Sequence, residues 1–128
     1  FDNFECQFNV ANNVAVETLL IPNMIVQPFI ENAILHGVSH LATKDGKIDV
    51  CITKNNNLLT ISIEDNGYGL KTNLDKTSHI SKGLNIIEER IQIMQENNPG
   101  KIFSINYQVP FPEMERKGHR VVIELTIS

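Results

Sequence analysis

Cysteine is scarce in this chain of 128 residues, and Cys6 and Cys51 are too few for a disulfide framework and too far apart for a metal-binding pair. Both stand in strand-like runs, so they are expected to be small buried or half-buried thiols in a reducing, cytoplasmic compartment. A basic run is also missing. Eleven Lys and Arg against fifteen Asp and Glu leave a net charge of −4, which argues against nucleic acid as a partner. No apolar stretch approaches the ~18 residues of a membrane span. Phe1-Asp2-Asn3-Phe4 has neither the basic nor the apolar region of a signal peptide, so no membrane contact by this piece is expected. The first residue is not methionine, as in a processed chain or an excised domain.

Several catalytic signatures are missing as well. Gly46-Lys47 is followed by Ile48-Asp49 and lacks the upstream glycine of a Walker loop. There is no HExxH zinc pair and no G-x-S-x-G elbow. The spacing of His36, His40, His79 and His119 leaves a metal site open without arguing for one. What remains is a length that suits one domain, residues 1–128, with a real hydrophobic core and no interdomain linker.

Hydropathy patterning supplies the elements. Phe4, Cys6, Phe8 and Val10 alternate with polar residues and predict a half-buried strand. A first helix is predicted within Pro22 to His36, with Pro28 marking a kink or restart. At about 100° per residue, Phe29, Ile30, Ala33 and Ile34 gather on one side of it. Pro28, Glu31, Asn32, Leu35 and His36 gather on the other, and Gly37 ends it. Ile48, Val50 and Ile52, then Leu59, Ile61 and Ile63, alternate on either side of Asn55-Asn56-Asn57 and predict an antiparallel hairpin. Residues 71–82 lack periodicity and read as a mobile loop.

A second helix is predicted from near Gly83 to about Gln95, with Leu84, Ile86, Ile87, Ile91, Ile93 and Met94 as its apolar stripe. Arg90 falls inside that stripe and is expected to snorkel or to pair with an acid. Phe103 to Val109 and Val121 to Ile127 alternate as two further strands, joined by a charged connection from Pro110 to Gly118. The order strand, helix, two strands, helix, two strands predicts an α+β fold. Its form is a two-layer α/β sandwich, a mostly antiparallel mixed sheet with the helices on one face.

Chemistry concentrates at three places. Asn32 and His36 stand one helical turn apart with Glu31 beside them, on a rigid element able to present them to a ligand. Asn32 offers an uncharged oxygen suited to magnesium, and Glu31 is placed to orient or deprotonate a nucleophile. Asp65 ends a strand and can accept a hydrogen bond from an exocyclic amino group, while Gly67 and Gly69 leave room for a flat ring. Asn66-Gly67 also reads as a plain hairpin turn, but no third alternating run follows it. Backbone N–H groups around Gly83, Leu84 and Asn85, at the start of the second helix, can receive phosphate.

Glu31-Asn32-Ala33 with His36-Gly37, Asp65-Asn66-Gly67-Tyr68-Gly69, and Gly83-Leu84-Asn85 with Glu89-Arg90-Ile91 stand in that order. Together they resemble the N box, G1 box and G2 region of the ATP-binding domain of sensor histidine kinases. Gln27-Pro28-Phe29-Ile30-Glu31-Asn32-Ala33 is similar to the autolysin-sensor branch of that GHKL superfamily. The resemblance spans nearly the whole chain and implies a Bergerat-type fold with ATP and Mg2+ as ligands. It also implies phosphoryl transfer to a histidine on an upstream dimerisation domain, with a response regulator as the next partner, in a membrane-attached homodimer.

Residue by residue, the resemblance implies that Asn32 holds Mg2+, Asp65 binds the adenine amino group, and Gly67 and Gly69 shape the pocket. It gives Gly83, Leu84 and Asn85 the phosphate side, puts His36 near the nucleotide, and makes Glu31 the acidic catalytic position. Three positions depart from the family. Leu35 stands where lysine is common, Ser81 where a glycine is usual, and Gly118-His119-Arg120-Val121 lacks the threonine of Gly-Thr-x-Val. Two other readings stay open: a nucleotide-gated conformational ATPase of the same superfamily, and a degenerate interaction module without nucleotide. None of the four histidines resembles a phosphoacceptor, so the fragment is expected not to phosphorylate itself.

Overall fold

A computed structural model describes residues 4–13, 27–34, 38, 45–68 and 82–127. Its strands are β1 (Phe4–Val10), β2 (Gly46–Asn55), β3 (Leu58–Asp65), β4 (Phe103–Gln108) and β5 (His119–Thr126). Its helices are α1, helical over residues 27–34, and α2 (Lys82–Asn97). The five strands form one sheet in the order β1-β2-β3-β5-β4. β1 runs parallel to β2, and every other pair is antiparallel. The expected α+β sandwich with a mixed, mostly antiparallel sheet is the observed fold.

The period of two decides which face is buried. Ile48, Val50 and Ile52 of β2, Leu59, Ile61 and Ile63 of β3, and Val121, Ile123 and Leu125 of β5 form one core with Phe29, Ala33, Val38, Ile87 and Ile91. Ile30 and Ile34 pack against it, as the helical spacing predicts. The opposite face is polar. There Glu64, Arg120 and Gln108 lie side by side across three strands, and Arg120 donates to Glu64 at 2.7 Å and to Gln108 at 3.0 Å. The β2–β3 hairpin turns through Asn56, whose φ of 56° asparagine tolerates better than most residues.

Two expectations about burial fail. Cys6, Phe8 and Val10 are exposed, Phe8 by 60%, although their partners Ile48, Val50 and Ile52 are core residues. Among the described residues β1 is an edge strand with one neighbour, so Cys6 is not a buried thiol; partial desolvation and the Asp49 carboxylate still push its pKa up. Cys51 is half-buried, as expected.

On α2, Ile87 and Ile91 are buried, but Ile86 (49%), Ile93 (54%) and Met94 are exposed, and so is Arg90. The buried stripe is rotated toward Glu88 and Gln95, because β4 engages those two polar side chains. Gln95 Nε2 donates to the carbonyl of Lys101 at 2.7 Å, and its Oε1 accepts from Phe103 N–H at 3.0 Å. The Tyr107 hydroxyl donates to Glu88. Residues 22–26, 35–37 and 69–81 lie outside the described residues, and with them the first helix's predicted ends and the predicted mobile loop.

Candidate functional site

Asp65 is the last residue of β3, in phase with Leu59, Ile61 and Ile63. The alternation therefore carries its side chain into the layer between sheet and helices rather than into water. It is 4% exposed and is the one buried charged residue among those described. Its Oδ1 accepts the Gly67 N–H at 2.9 Å, a local turn bond open to a short carboxylate. Burial pushes the Asp65 pKa up to about 6, with the Gly67 bond opposing and Glu64 adding to the rise.

The segment after Asp65 is tied from both sides. Asn66 is bound back to β2: its Oδ1 accepts the Lys47 N–H at 2.7 Å, and its Nδ2 donates to the Asp45 carbonyl at 3.0 Å. From the other side the Gly118 N–H donates to the Gly67 carbonyl at 2.9 Å. Gly118 has φ +71°, and a Cβ there would stand 2.5 Å from the Asp65 carbonyl oxygen. Only glycine meets both demands. Arg116 reaches Asp45 at 2.8 Å and holds the connection between β4 and β5 against the start of β2.

A row of contacts brings α2 to the same end of the sheet. His119 is the register partner of Asp65, the Tyr107 and His119 ring centroids are 5.6 Å apart, and Tyr107 reaches Glu88. Lys82 to Asn85, the first turn of α2, lies beyond Glu88 at that end, with Asn85 exposed. A helix start offers unsatisfied N–H donors and the positive end of the dipole. Buried carboxylate and helix N-terminus thus lie at one end of the molecule.

The third group is placed less fully. Asn32 is half-buried and Glu31 exposed on α1, where Gln27 Nε2 donates to Glu31 Oε1 at 3.1 Å. Asn32 makes no hydrogen bond among the described residues and retains both ends of its amide. No cluster of three or more His, Cys, Asp or Glu able to hold a metal occurs among the described residues. The donor set suits Mg2+ held through one amide oxygen, waters and phosphate. His36 and Gly69 fall outside the described residues, as do the side chains of Gly83 and Leu84. Asn66 and Gly118 stand in motifs that the sequence offers, but it assigns neither the part of holding Asp65 and Gly67 in place. The glycine before β5 was the available signal for Gly118.

The chain is 36% identical over 69 residues to the sensor protein LytS of Staphylococcus haemolyticus, 54% of this chain and 11% of that protein. It is 34% identical over 50 residues to the sensor histidine kinase YpdA of Escherichia coli, 39% of this chain and 9% of that protein. The histidine kinase domain of the Erythrobacter litoralis EL346 blue-light activated kinase superposes with a TM-score of 0.66 at 19% identity, covering 98% of this chain and 52% of that one. The chain thus resembles sensor histidine kinases in sequence and shares the fold of their catalytic domains. The mycobacterial sensor histidine kinase MprB matches the fold with a TM-score of 0.62 at 13% identity, over 97% of this chain and 84% of that one. No family model matches the chain. The matched parts span about a tenth of the LytS and YpdA chains. No described helix of this domain is long and apolar enough to cross a membrane.

Proposed function

We propose that residues 1–128 form a single ATP-binding unit of a longer sensor kinase, and that it presents the γ-phosphoryl group of ATP to a histidine on an upstream dimerisation domain. The observation that carries this reading is the Asp65 carboxylate, buried in the interlayer at the end of the sheet where α2 begins. There it accepts the adenine amino group, with Gly67 and Gly69 flanking the ring. The N–H groups of Gly83, Leu84 and Asn85 take the phosphates, with His36 close by. Asn32 holds Mg2+, which neutralises phosphate charge when bound.

The imidazole nitrogen of the acceptor attacks the γ-phosphorus as the bond to the β-phosphate oxygen breaks, and ADP leaves. Glu31 serves as the acidic group beside the attacking nitrogen. Positioning and charge stabilisation supply the catalysis. The phosphohistidine then serves a response regulator. The whole protein is proposed to be a membrane-attached homodimer with this domain on the cytoplasmic side.

Calorimetric titration with ATP and GTP, with and without Mg2+, tests the reading beside an Asp65→Ala variant. Saturable, adenine-selective binding strengthened by Mg2+ is expected, and the variant should weaken it at least about tenfold, the value of a hydrogen bond to a charged group. Absence of binding at millimolar ATP would favour a scaffold that has kept the fold and lost the ligand, with Leu35 and Ser81 as the changed positions.

A further inference from the structure

The side of α2 that faces the sheet is marked by Ile87 and Ile91, which are buried, and by Gln95, which β4 holds. The side turned away from the sheet carries two large apolar residues. Ile86 and Ile93 are exposed by 49% and 54%. Seven residues bring a helical side chain back to within about 20° of where it began, about 10 Å further along the axis. The two isoleucines therefore form one stripe, about 140–160° around the helix from Ile91. Single exposed isoleucines are ordinary, but these two share a line and their borders are charged.

Glu89 and Arg90 stand midway between the isoleucines, both exposed, about 50° to either side of the stripe. Neither makes an ion pair among the described residues, so Arg90 has no acid of its own chain there. A stripe with an acid on one border and a base on the other complements a copy of itself in one orientation. When two such helices lie parallel across a two-fold axis, Ile86 meets the partner's Ile86 and Ile93 meets the partner's Ile93. The two-fold reverses left and right, so Glu89 faces the partner's Arg90 and Arg90 faces the partner's Glu89, one residue or about 1.5 Å apart in height. Antiparallel helices with the isoleucines matched would instead set Glu89 against the partner's Glu89 and Arg90 against the partner's Arg90.

We infer that the outer side of α2 is a self-association surface, on which Ile86, Glu89, Arg90 and Ile93 pair in parallel with the same residues of a second copy of this chain. The buried Ile87 and Ile91 point each domain body away from the seam, so the two sheets stand on opposite sides of the helix pair. Two isoleucines from each copy bury less than the roughly 800 Å² per partner of a stable complex. The association is therefore weak and reversible in the isolated domain.

Sedimentation equilibrium of the 128-residue domain, without nucleotide and up to about 1 mM, tests the inference. A reversible monomer–dimer equilibrium is expected. Glu89→Arg alone and Arg90→Glu alone each set like charges against one another on both borders, and each should weaken the dimer about tenfold. The two substitutions together rebuild the pairs with their signs exchanged and should return the native dissociation constant. Ile93→Ser should remove the dimer by interrupting the stripe.

A domain that stays monomeric at about 1 mM would overturn the inference. So would single charge variants that associate as the native chain does, which would place the contact elsewhere on the surface. A double variant that melts like the native chain yet associates no better than the single variants would overturn the parallel pairing. Nucleotide is absent throughout, so each of these outcomes is independent of whether the domain binds ATP.

Discussion

Asp65 sets the residue-scale behaviour of the molecule because its carboxylate is stabilised less by the fold than by water. Its pKa rises from 3.8 to about 6 on folding. Between those values the folded domain holds a proton that the unfolded chain has released, so this group's contribution to stability falls as pH rises through that window. Asp65→Asn should therefore stabilise the domain at pH 7, by of the order of 2 kcal/mol, while weakening the proposed adenine contact. Thermal melts of both proteins at pH 7 and pH 4 test this, with the advantage expected to shrink at the lower pH. Gly118→Ala should go the other way. Its Cβ would meet the Asp65 carbonyl oxygen at 2.5 Å from a φ of +71°, at a cost of about 2 kcal/mol or more. The displaced Gly67 should lower nucleotide affinity as well.

For the elements, hydrophobicity alone does not say which side of a helix is buried. Ile91 and Ile93 are alike in chemistry and differ in place, buried against exposed. Ile91→Ala should cost about 2–4 kcal/mol through the cavity it leaves, and Ile93→Ala less than about 0.5 kcal/mol, as urea midpoints at constant slope would show. Gln95→Ala should cost about 1–3 kcal/mol, since the Phe103 N–H and Lys101 carbonyl lose their partner. The stripe was misread at Ile86, Ile93 and Met94 because Gln95 and Glu88 are polar, and their bonds to β4 exist only once β4 lies beside the helix. β1 was misread for a related reason. Its alternation was legible, but its edge position is a property of the sheet, not of the strand.

At the scale of the whole molecule, a ligand that binds the folded form alone raises its stability by mass action. Mg-ATP at a hundred times its dissociation constant should add about 2.7 kcal/mol and raise the melting temperature by several degrees. Asp65→Ala should abolish that rise in a thermal shift series, whereas Glu96→Gln, at the far end of α2, should leave it intact.

The order of elements, the β2–β3 and β4–β5 pairings, the core face of α1 and the placement of Asp65 at a strand end were all legible in the sequence. Each rests on local periodicity or on a turn signal, which the chain carries residue by residue. The order β1-β2-β3-β5-β4, the rotation of α2, and the support of Asp65 by Gly118 and Asn66 were decided by tertiary structure alone. In each of these the partners are distant in sequence, Gly67 and Gly118 among them. Their contact depends on how the sheet closes, and no local pattern records that.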